Sequence, residues 1–190
     1  MKPQHPAARF FVIPKFFCIL LSLSCLLAAP AKAMDDATKQ VVNQALDQGR
    51  LIGEGRLTYI FWDVYDAQLF AARGAFSPTG EYALALRYLM DFDGIDITKR
   101  SIEEMQEQGY RDVPQLAKWQ TFMSDTFPDV KENDTLIGVR TSTGSSRFFH
   151  NGQFVGELDD PEFTNAFFGI WLAPNTSEPK LRQKLLGLRR

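Results

Sequence analysis

The stretch Asp-Pro-Glu-Phe-Thr-Asn-Ala-Phe-Phe-Gly-Ile-Trp-Leu at residues 160–172 is the most informative part of the sequence. Asp160 followed by Pro161 is typical of a helix start, because an aspartate side chain accepts hydrogen bonds from free backbone N–H groups and proline has no N–H to satisfy there. Apolar residues then recur at spacings of three and four: Phe163, Ala166, Phe167, Ile170 and Trp171. This spacing predicts an amphipathic helix with a wide aromatic face.

Strands are predicted upstream of that helix. The Asn-Gly dipeptide at residues 151–152 separates the runs 147–150 and 153–157, and it favours the positive φ angles that a two-residue hairpin turn needs. Residues 51–72 are rich in strand-forming side chains, which predicts two consecutive strands or one long bent strand. Alternating large and small apolar residues at 82–88 predict a central strand with neither face fully exposed.

Further helices are predicted between and around these strands. Residues 35–48 are polar with interspersed apolar side chains and are followed by Gly49, which predicts a short helix. Residues 181–186 predict a short last helix. Ser-Ile-Glu-Glu at residues 101–104 matches a capping box and predicts a helix that begins or joins there and ends near Gly109. A proline-initiated helix is predicted over residues 114–127. This order of elements predicts one α+β domain.

Residues 1–33 have the pattern of a secretory signal peptide. They contain four basic and no acidic residues, an apolar run at 16–29, and Ala-Lys-Ala at 31–33, which is the expected order of a signal peptide and its cleavage site. The run is shorter than the roughly 20 residues of a membrane span, which leaves an uncleaved anchor as the less favoured alternative. We therefore expect a periplasmic protein, with residues 34–190 as a single domain that does not span the membrane.

Cleavage after residue 33 would change the composition. Removing four of the 21 basic residues leaves 17 against 23 acidic ones, a formal charge of −6. Such a chain lacks the basic excess typical of nucleic-acid-binding proteins. Cys18 and Cys25 would also be removed, and His150 would be the one remaining histidine. These counts argue against zinc or thiol chemistry, so we expect neither a metal nor a cofactor.

Arg56 is the main candidate for ligand binding. It lies between Gly55 and Leu57, where an extended apolar segment begins. The planar guanidinium of an arginine can bind a carboxylate or an enolate through two parallel hydrogen bonds. The alternative interpretation of Arg56 is a surface side chain at the edge of a strand.

Six segments of the sequence resemble the exported bacterial chalcone isomerase-like family. They lie at residues 53–56, 64–70, 151–152, 160–163, 166–172 and 181–187. The resemblance covers nearly all of residues 50–187, and Ile-Trp-Leu at 170–172 and Leu-Leu-Gly at 185–187 are its most specific parts. It implies the chalcone isomerase fold, an α+β open-faced sandwich in which a large antiparallel sheet has helices packed on one face. A ligand cleft would lie between the helices and the sheet.

The resemblance also implies roles for individual residues. The family includes plant isomerases, in which an arginine stabilises an enolate while a chalcone closes to a flavanone, and non-catalytic relatives that resemble fatty-acid binders. Arg56 would be that arginine, and Thr164 would be a polar residue beside the substrate. Tyr65 and Tyr88 are further ligand-binding candidates. Residues 97–104 contain neither the tyrosine nor the asparagine that the plant enzymes carry after the central strand.

We therefore expect a periplasmic protein that binds a small apolar ligand with an anionic or carbonyl end, as a fatty acid has. One alternative is an intramolecular lyase that closes chalcone-like enones. Another is a structural or partner-binding protein of the cell envelope, which an exposed aromatic surface would favour. The sequence leaves the ligand and the oligomeric state open.

Overall fold

Six antiparallel strands, hydrogen-bonded in chain order, form the sheet of the computed structural model, which describes residues 36–188. The strands are β1 (Arg50–Tyr59), β2 (Trp62–Ala71), β3 (Tyr82–Tyr88), β4 (Thr135–Arg140), β5 (Ser146–His150) and β6 (Gln153–Leu158). The five α-helices are α1 (Asp36–Ala45), α2 (Gly94–Glu107), α3 (Val113–Thr126), α4 (Pro161–Leu172) and α5 (Pro179–Leu185). The predicted signal peptide lies outside the described residues.

The main hydrophobic core lies between one face of the sheet and the helices α2 to α5. It combines alternate side chains of the strands, such as Leu69 and Leu84, with helical side chains such as Met105, Trp119 and Phe167. Alternate residues of a strand point to opposite faces of the sheet, so each strand supplies every second side chain to this core. The predicted α+β open-faced sandwich is confirmed.

Helix α1 covers part of the opposite face of the sheet, which the prediction of helices on one face did not include. Val41, Val42 and Leu46 pack there in a second, smaller core. Their partners on the sheet are Phe70, Ala83, Ala85, Ile137 and Val139. The small alanines of β3 leave space for the helix to approach, which explains the alternation of large and small residues in this strand. β3 is accordingly buried on both faces, as predicted.

Helix α4 lies in the main core, and its aromatic face is buried throughout. Asp160 caps the helix and accepts hydrogen bonds from the backbone N–H groups of Glu162 and Phe163, each at 3.0 Å. The five side chains of the predicted stripe are all buried: Phe163, Ala166, Phe167, Ile170 and Trp171. A buried stripe offers no surface to a partner, so it does not support the interpretation as an envelope protein that binds through these aromatics.

Helix α2 begins at Gly94, so residues 101–104 join a helix that is already under way rather than starting one. Asp93 is the residue before its first turn, and Ser101 lies in mid-helix, where its hydroxyl donates to the carbonyl of Ile97 at 2.8 Å. Of the two alternatives for residues 101–104, the helix start is wrong and the joined helix is confirmed, because the same sequence pattern fits a serine bonded back to the preceding turn,. Gly94 permits the earlier start, since a Cβ there would clash with the carbonyl oxygen of Phe127. The predicted end of the helix near Gly109 is confirmed.

The two outermost strand pairs of the sheet, β1–β2 and β5–β6, are tight hairpins. In the β5–β6 hairpin, Asn151 and Gly152 have φ angles of 50° and 83°, as the Asn-Gly dipeptide predicted. Residues 51–72 form two strands, β1 and β2, joined by the two residues Ile60 and Phe61. We call residues 59–62 the hairpin tip. Ile60 has a φ of 56°, a conformation that β-branched side chains rarely adopt,.

Replacing Ile60 by asparagine is expected to raise the free energy of unfolding by about 1 kcal/mol. Left-handed backbone costs an ordinary L-residue roughly 1–2 kcal/mol, and asparagine tolerates it better. The side chain of Ile60 is largely exposed, so little burial is lost. Urea denaturation measures the change, with Ile95→Asn as the control, because Ile95 is an exposed isoleucine on a helical backbone. A less stable Ile60→Asn variant would contradict the prediction.

Candidate functional site

A cavity of about 670 Å³ opens between the sheet and helices α2 and α4. This volume lies within the usual range for small-molecule sites. Most of its wall is apolar, formed by Leu57, Val64, Leu86, Met90, Phe92, Ile97, Phe167 and Ile170. The sheet supplies its floor because the alternate residues of β1, β2 and β3 that face the helices lie side by side. The site can therefore hold an apolar molecule of moderate size.

Tyr65 and Tyr88 are neighbours across the cavity floor. They are paired in the register of β2 and β3, and their rings meet edge to face with 5.9 Å between centroids. Aromatic pairs in this arrangement are favourable beyond the area that they bury. Both hydroxyl groups are consequently held at fixed positions on rigid strands.

The hydroxyl of Tyr65 can donate a hydrogen bond to a ligand. Its oxygen accepts a hydrogen bond of 2.8 Å from the indole Nε1 of Trp171. Burial is the main influence on its ionisation and raises the pKa of Tyr65 far above its ordinary value, although the bond from Trp171 opposes this. The phenol therefore stays protonated at neutral pH. Among residues 36–188, no hydrogen bond from this O–H to an acceptor is found, so the O–H can donate to a ligand oxygen,.

The hydroxyl of Tyr88 is a second donor beside it. Tyr88 is buried and lines the cavity. Burial also raises the pKa of Tyr88, with a smaller contribution from Tyr65. No hydrogen-bond partner for this hydroxyl is found among residues 36–188. Two neutral O–H donors in an apolar cavity are suited to binding the oxygen of a carbonyl group or the two oxygens of a carboxylate.

Charged side chains of α2 form one edge of the cavity. Arg100 and Glu104 are one helical turn apart and make an ion pair, and Glu104 also accepts a 2.8 Å hydrogen bond from the hydroxyl of Ser177. The Arg100 side chain is about 60% exposed, so it lies at the mouth. Burial opposes the charge of Arg100, but the carboxylates around it, Glu104 foremost, raise its pKa. Arg100 is therefore a permanent cation at the mouth of the cavity.

Glu178 adds a second carboxylate to this edge. Burial raises the pKa of Glu178, and the negative charge of Glu104 raises it further. Two carboxylates close together make each harder to ionise. The cation Arg100 is thus shared between acidic groups, and an incoming carboxylate would compete with Glu104 for it.

Of the four residues predicted to bind the ligand, the structure brings Tyr65 and Tyr88 together in the cavity and places Arg56 and Thr164 elsewhere. Arg56 lies on the opposite face of the sheet, because its neighbour Leu57 is the residue that faces the helices. Its guanidinium binds Asp63 at 2.7 Å and Asp66 at 2.6 Å. The surface alternative for Arg56 is therefore the one that the structure supports.

Thr164 has a structural position. It is completely buried, and its hydroxyl lies 2.7 Å from the hydroxyl of Ser146 and donates to the carbonyl of Asp160 at 3.1 Å. The contact with Ser146 ties α4 to β5 within the main core, and the bond to Asp160 lies within the first turn of α4. Thr164 does not line the cavity, so the structure does not place it beside a ligand there.

Sequence reasoning missed the polar residues of α2 at this site. Arg100, Ser101 and Glu104 line the cavity, whereas the sequence pattern assigned Ser101 and Glu104 to a helix start. The available signal was the spacing of four between Arg100 and Glu104, which favours an ion pair on one helix face.

Two general features complete the description of the site. Across residues 36–188, no group of histidine, cysteine, aspartate or glutamate side chains could hold a metal ion. In the same part of the chain, no helix has the length and apolar character needed to cross a bilayer.

Comparisons with known proteins agree with this architecture. A family model described as chalcone isomerase-like matches residues 31–187. A protein of Haemophilus influenzae, described as uncharacterized, is 31% identical over 138 residues, which are 72% of this chain and 67% of that protein. The crystal structure of a fatty-acid binding protein from Arabidopsis thaliana matches with a TM-score of 0.58 at 13% identity, and the match covers 74% of this chain and 87% of that one. At that identity the likeness is one of fold.

Proposed function

We propose that this chain, which belongs to the chalcone isomerase-like family, binds a small apolar ligand that ends in a carbonyl or carboxylate group. The observation that carries the proposal is the pair of tyrosines, Tyr65 and Tyr88, side by side on the floor of an apolar cavity. Ligand sites commonly combine apolar walls with a few polar groups that fix orientation. Here the walls would hold a hydrocarbon body, and the hydroxyls would hold its oxygen.

A fatty acid is the ligand class that fits these groups best. Its chain matches the apolar wall, and its carboxylate could accept from Tyr65 and Tyr88 while its charge is balanced by Arg100. The Arabidopsis protein of the same fold is a fatty-acid binding protein, which supports this class of ligand.

The proposal places the activity in the periplasm. Support comes from the sequence of residues 1–33, with its basic start, apolar run and Ala-Lys-Ala ending,. Native mass spectrometry of the protein from the periplasmic fraction tests both points, because it measures the mature N-terminus and any bound ligand. A purified protein that carries no fatty acid and does not bind a fluorescent fatty acid would refute the ligand assignment.

Catalysis is the competing function for the same cavity. Hydroxyl donors that hold a ligand oxygen could also stabilise an enolate. The same preparation is therefore assayed for loss of chalcone absorbance, with the spontaneous rate subtracted. Turnover above that background would replace binding by an intramolecular lyase activity.

Replacing Arg100 by glutamine is expected to weaken fatty-acid binding about fivefold. The guanidinium is more than half exposed, so solvent screening limits its contribution to roughly 1 kcal/mol,. Binding of the methyl ester should not change, because the ester has no charge to balance. Displacement of a fluorescent fatty acid measures both affinities.

Arg56→Gln is the matched control for this experiment. It removes the same guanidinium from the opposite face of the sheet, and its affinity for the fatty acid should equal that of the wild type. Thermal melting of both variants verifies that they are folded. Equal losses for the acid and the ester in Arg100→Gln would show that the arginine does not bind the carboxylate.

A further inference from the structure

The hairpin tip exposes four consecutive large apolar side chains. Tyr59, Ile60, Phe61 and Trp62 expose 67%, 69%, 91% and 67% of their surfaces. The other large apolar side chains that are exposed within residues 36–188 occur singly along the sequence. Contiguous apolar surface on a folded domain commonly marks a site of interaction.

The backbone of the tip adds a second cost at the same place. Ile60 combines an exposed side chain with a positive φ of 56°. Asparagine or glycine would relieve both the exposure and the strain. Backbone strain of this kind is concentrated at functional sites. Burial of the tip in an apolar environment would remove the free-energy cost of exposing these side chains to water.

The tip is continuous with the cavity. Tyr59 and Trp62 expose most of their surfaces and also line the cavity, while Ile60 and Phe61 extend beyond them. An apolar path therefore leads from the outermost residue of the hairpin into the proposed ligand site. A ligand that follows this path keeps its hydrocarbon part in contact with apolar side chains.

The carboxylates nearest to the tip are compensated. Asp63 accepts hydrogen bonds of 2.7 Å from Arg56 and from the hydroxyl of Thr58. Asp66 accepts a 2.6 Å bond from Arg56 and is also paired with Arg87. Unpaired carboxylates are costly near an apolar phase. Arg56 thus reduces the electrostatic cost of bringing this end of the hairpin to such a phase.

We propose that the hairpin tip inserts into the interfacial layer of a lipid bilayer and that the ligand passes between bilayer and cavity along Tyr59 and Trp62. Tyrosine and tryptophan are enriched at membrane interfaces, where one part of the ring is apolar and the other hydrated. A stable protein interface buries about 800 Å² per partner, and a two-residue turn cannot supply that area alone. A fluid bilayer adapts to such a narrow, convex surface.

Insertion can be tested without any ligand. The probe is vesicles of phosphatidylcholine, alone and with added phosphatidylglycerol. Of the three tryptophans, Trp62 is exposed whereas Trp119 and Trp171 are buried, so a vesicle-induced blue shift of the emission reports on the tip. We expect binding to both compositions with little salt dependence, because apolar contact rather than net charge drives it.

Phe61→Asp is expected to weaken vesicle binding at least tenfold. Ile60→Asn should weaken it severalfold while increasing the stability of the fold, so unfolding cannot explain the loss. Phe154→Asp is the matched control, since Phe154 is an exposed phenylalanine on β6 at the other edge of the sheet. Its vesicle binding should equal that of the wild type.

Two results would overturn the proposal. One is a Phe61→Asp variant that binds vesicles as the wild type does. The other is a wild-type protein that ignores vesicles and forms a dimer, with Phe61→Asp converting it to a monomer in light scattering. The transfer route rests on the proposed ligand function, but insertion does not. Phe61 lies outside the cavity lining, so Phe61→Asp should bind the soluble fatty acid normally.

Discussion

Removing the hydroxyl groups of Tyr65 and Tyr88 together is expected to weaken fatty-acid binding about 50-fold. In the proposed complex each hydroxyl would donate to a ligand oxygen that has left water, and leaving such an oxygen without a donor costs roughly 1–3 kcal/mol. A loss near the low end for each bond gives a total of about 2.4 kcal/mol, which corresponds to that factor. The phenylalanine rings preserve the apolar wall, so the double variant Tyr65→Phe/Tyr88→Phe isolates the hydrogen bonds.

The two single variants should differ in stability, which distinguishes their roles. Tyr65→Phe leaves the indole N–H of Trp171 without its acceptor, so the free energy of unfolding should fall by about 1–2 kcal/mol. Tyr88→Phe removes a hydroxyl for which the described residues provide no partner, so stability without ligand should stay the same or rise slightly.

Fluorescence displacement measures binding, and urea denaturation measures stability. Tyr82→Phe is the matched control, because Tyr82 is buried on the same strand as Tyr88 but does not line the cavity. Its affinity should match that of the wild type. If the double variant bound the fatty acid within threefold of the wild type, the hydroxyl pair would not be the anchor.

The arrangement of the fold could be predicted from the sequence because its signals are local. The Asn-Gly turn at residues 151–152, the Asp160 cap and the aromatic spacing of α4 each depend on neighbouring residues only. The first residue of α2 was left open for the converse reason. Its start at Gly94 depends on close contact with Phe127, which is far away in the sequence.

The position of Arg56 shows how sensitive the face that a strand residue occupies is to its parity along the strand. Successive residues point to opposite faces, so the assignment of Leu57 to the helix face places Arg56 on the other side. The bulge between Leu57 and Thr58 disturbs the register further along β1. The sequence identified an arginine suited to carboxylates, and Arg56 does bind two, Asp63 and Asp66. Both belong to the protein itself.

The tyrosine pair could be proposed but not assembled from the sequence. Tyr65 and Tyr88 face each other because the connection between β2 and β3, including the short 3-10 helix Ala72–Gly74, sets the register. The length of that connection is visible in the sequence, but its path is not. The hydrogen bond from Trp171 to Tyr65 joins residues 106 positions apart, and a separation of this size leaves no local pattern.

Replacing Asp160 by alanine is expected to lower the free energy of unfolding by about 3 kcal/mol. The carboxylate performs two tasks, since one oxygen caps α4 through the N–H groups of Glu162 and Phe163 and the other accepts a 3.0 Å bond from the buried indole of Trp119. Losing a helix cap costs roughly 1 kcal/mol, and an unsatisfied buried N–H adds about 1–3 kcal/mol. For a domain of this size, the melting temperature should fall by about 10 °C.

Asp112→Ala provides the matched comparison. Asp112 caps α3 by accepting a 2.8 Å bond from the N–H of Gln115, and it is not among the acceptors of Trp119. Its replacement should cost the capping contribution alone, about 1 kcal/mol. Equal losses for the two variants would show that the bond between Asp160 and Trp119 contributes nothing to stability.

The loss caused by Asp160→Ala should also depend on pH. Burial raises the pKa of Asp160, but the N–H of Phe163, the indole of Trp119 and the N–H of Glu162 outweigh it and hold the pKa below its ordinary value. A carboxyl group with a lowered pKa stabilises the fold above its unfolded pKa, and this contribution is lost as the pH falls through the folded pKa. Denaturation at pH 7 and pH 3 should therefore show a larger difference between wild type and variant at pH 7. A difference that does not change with pH would mean that the charge of Asp160 is not what stabilises α4.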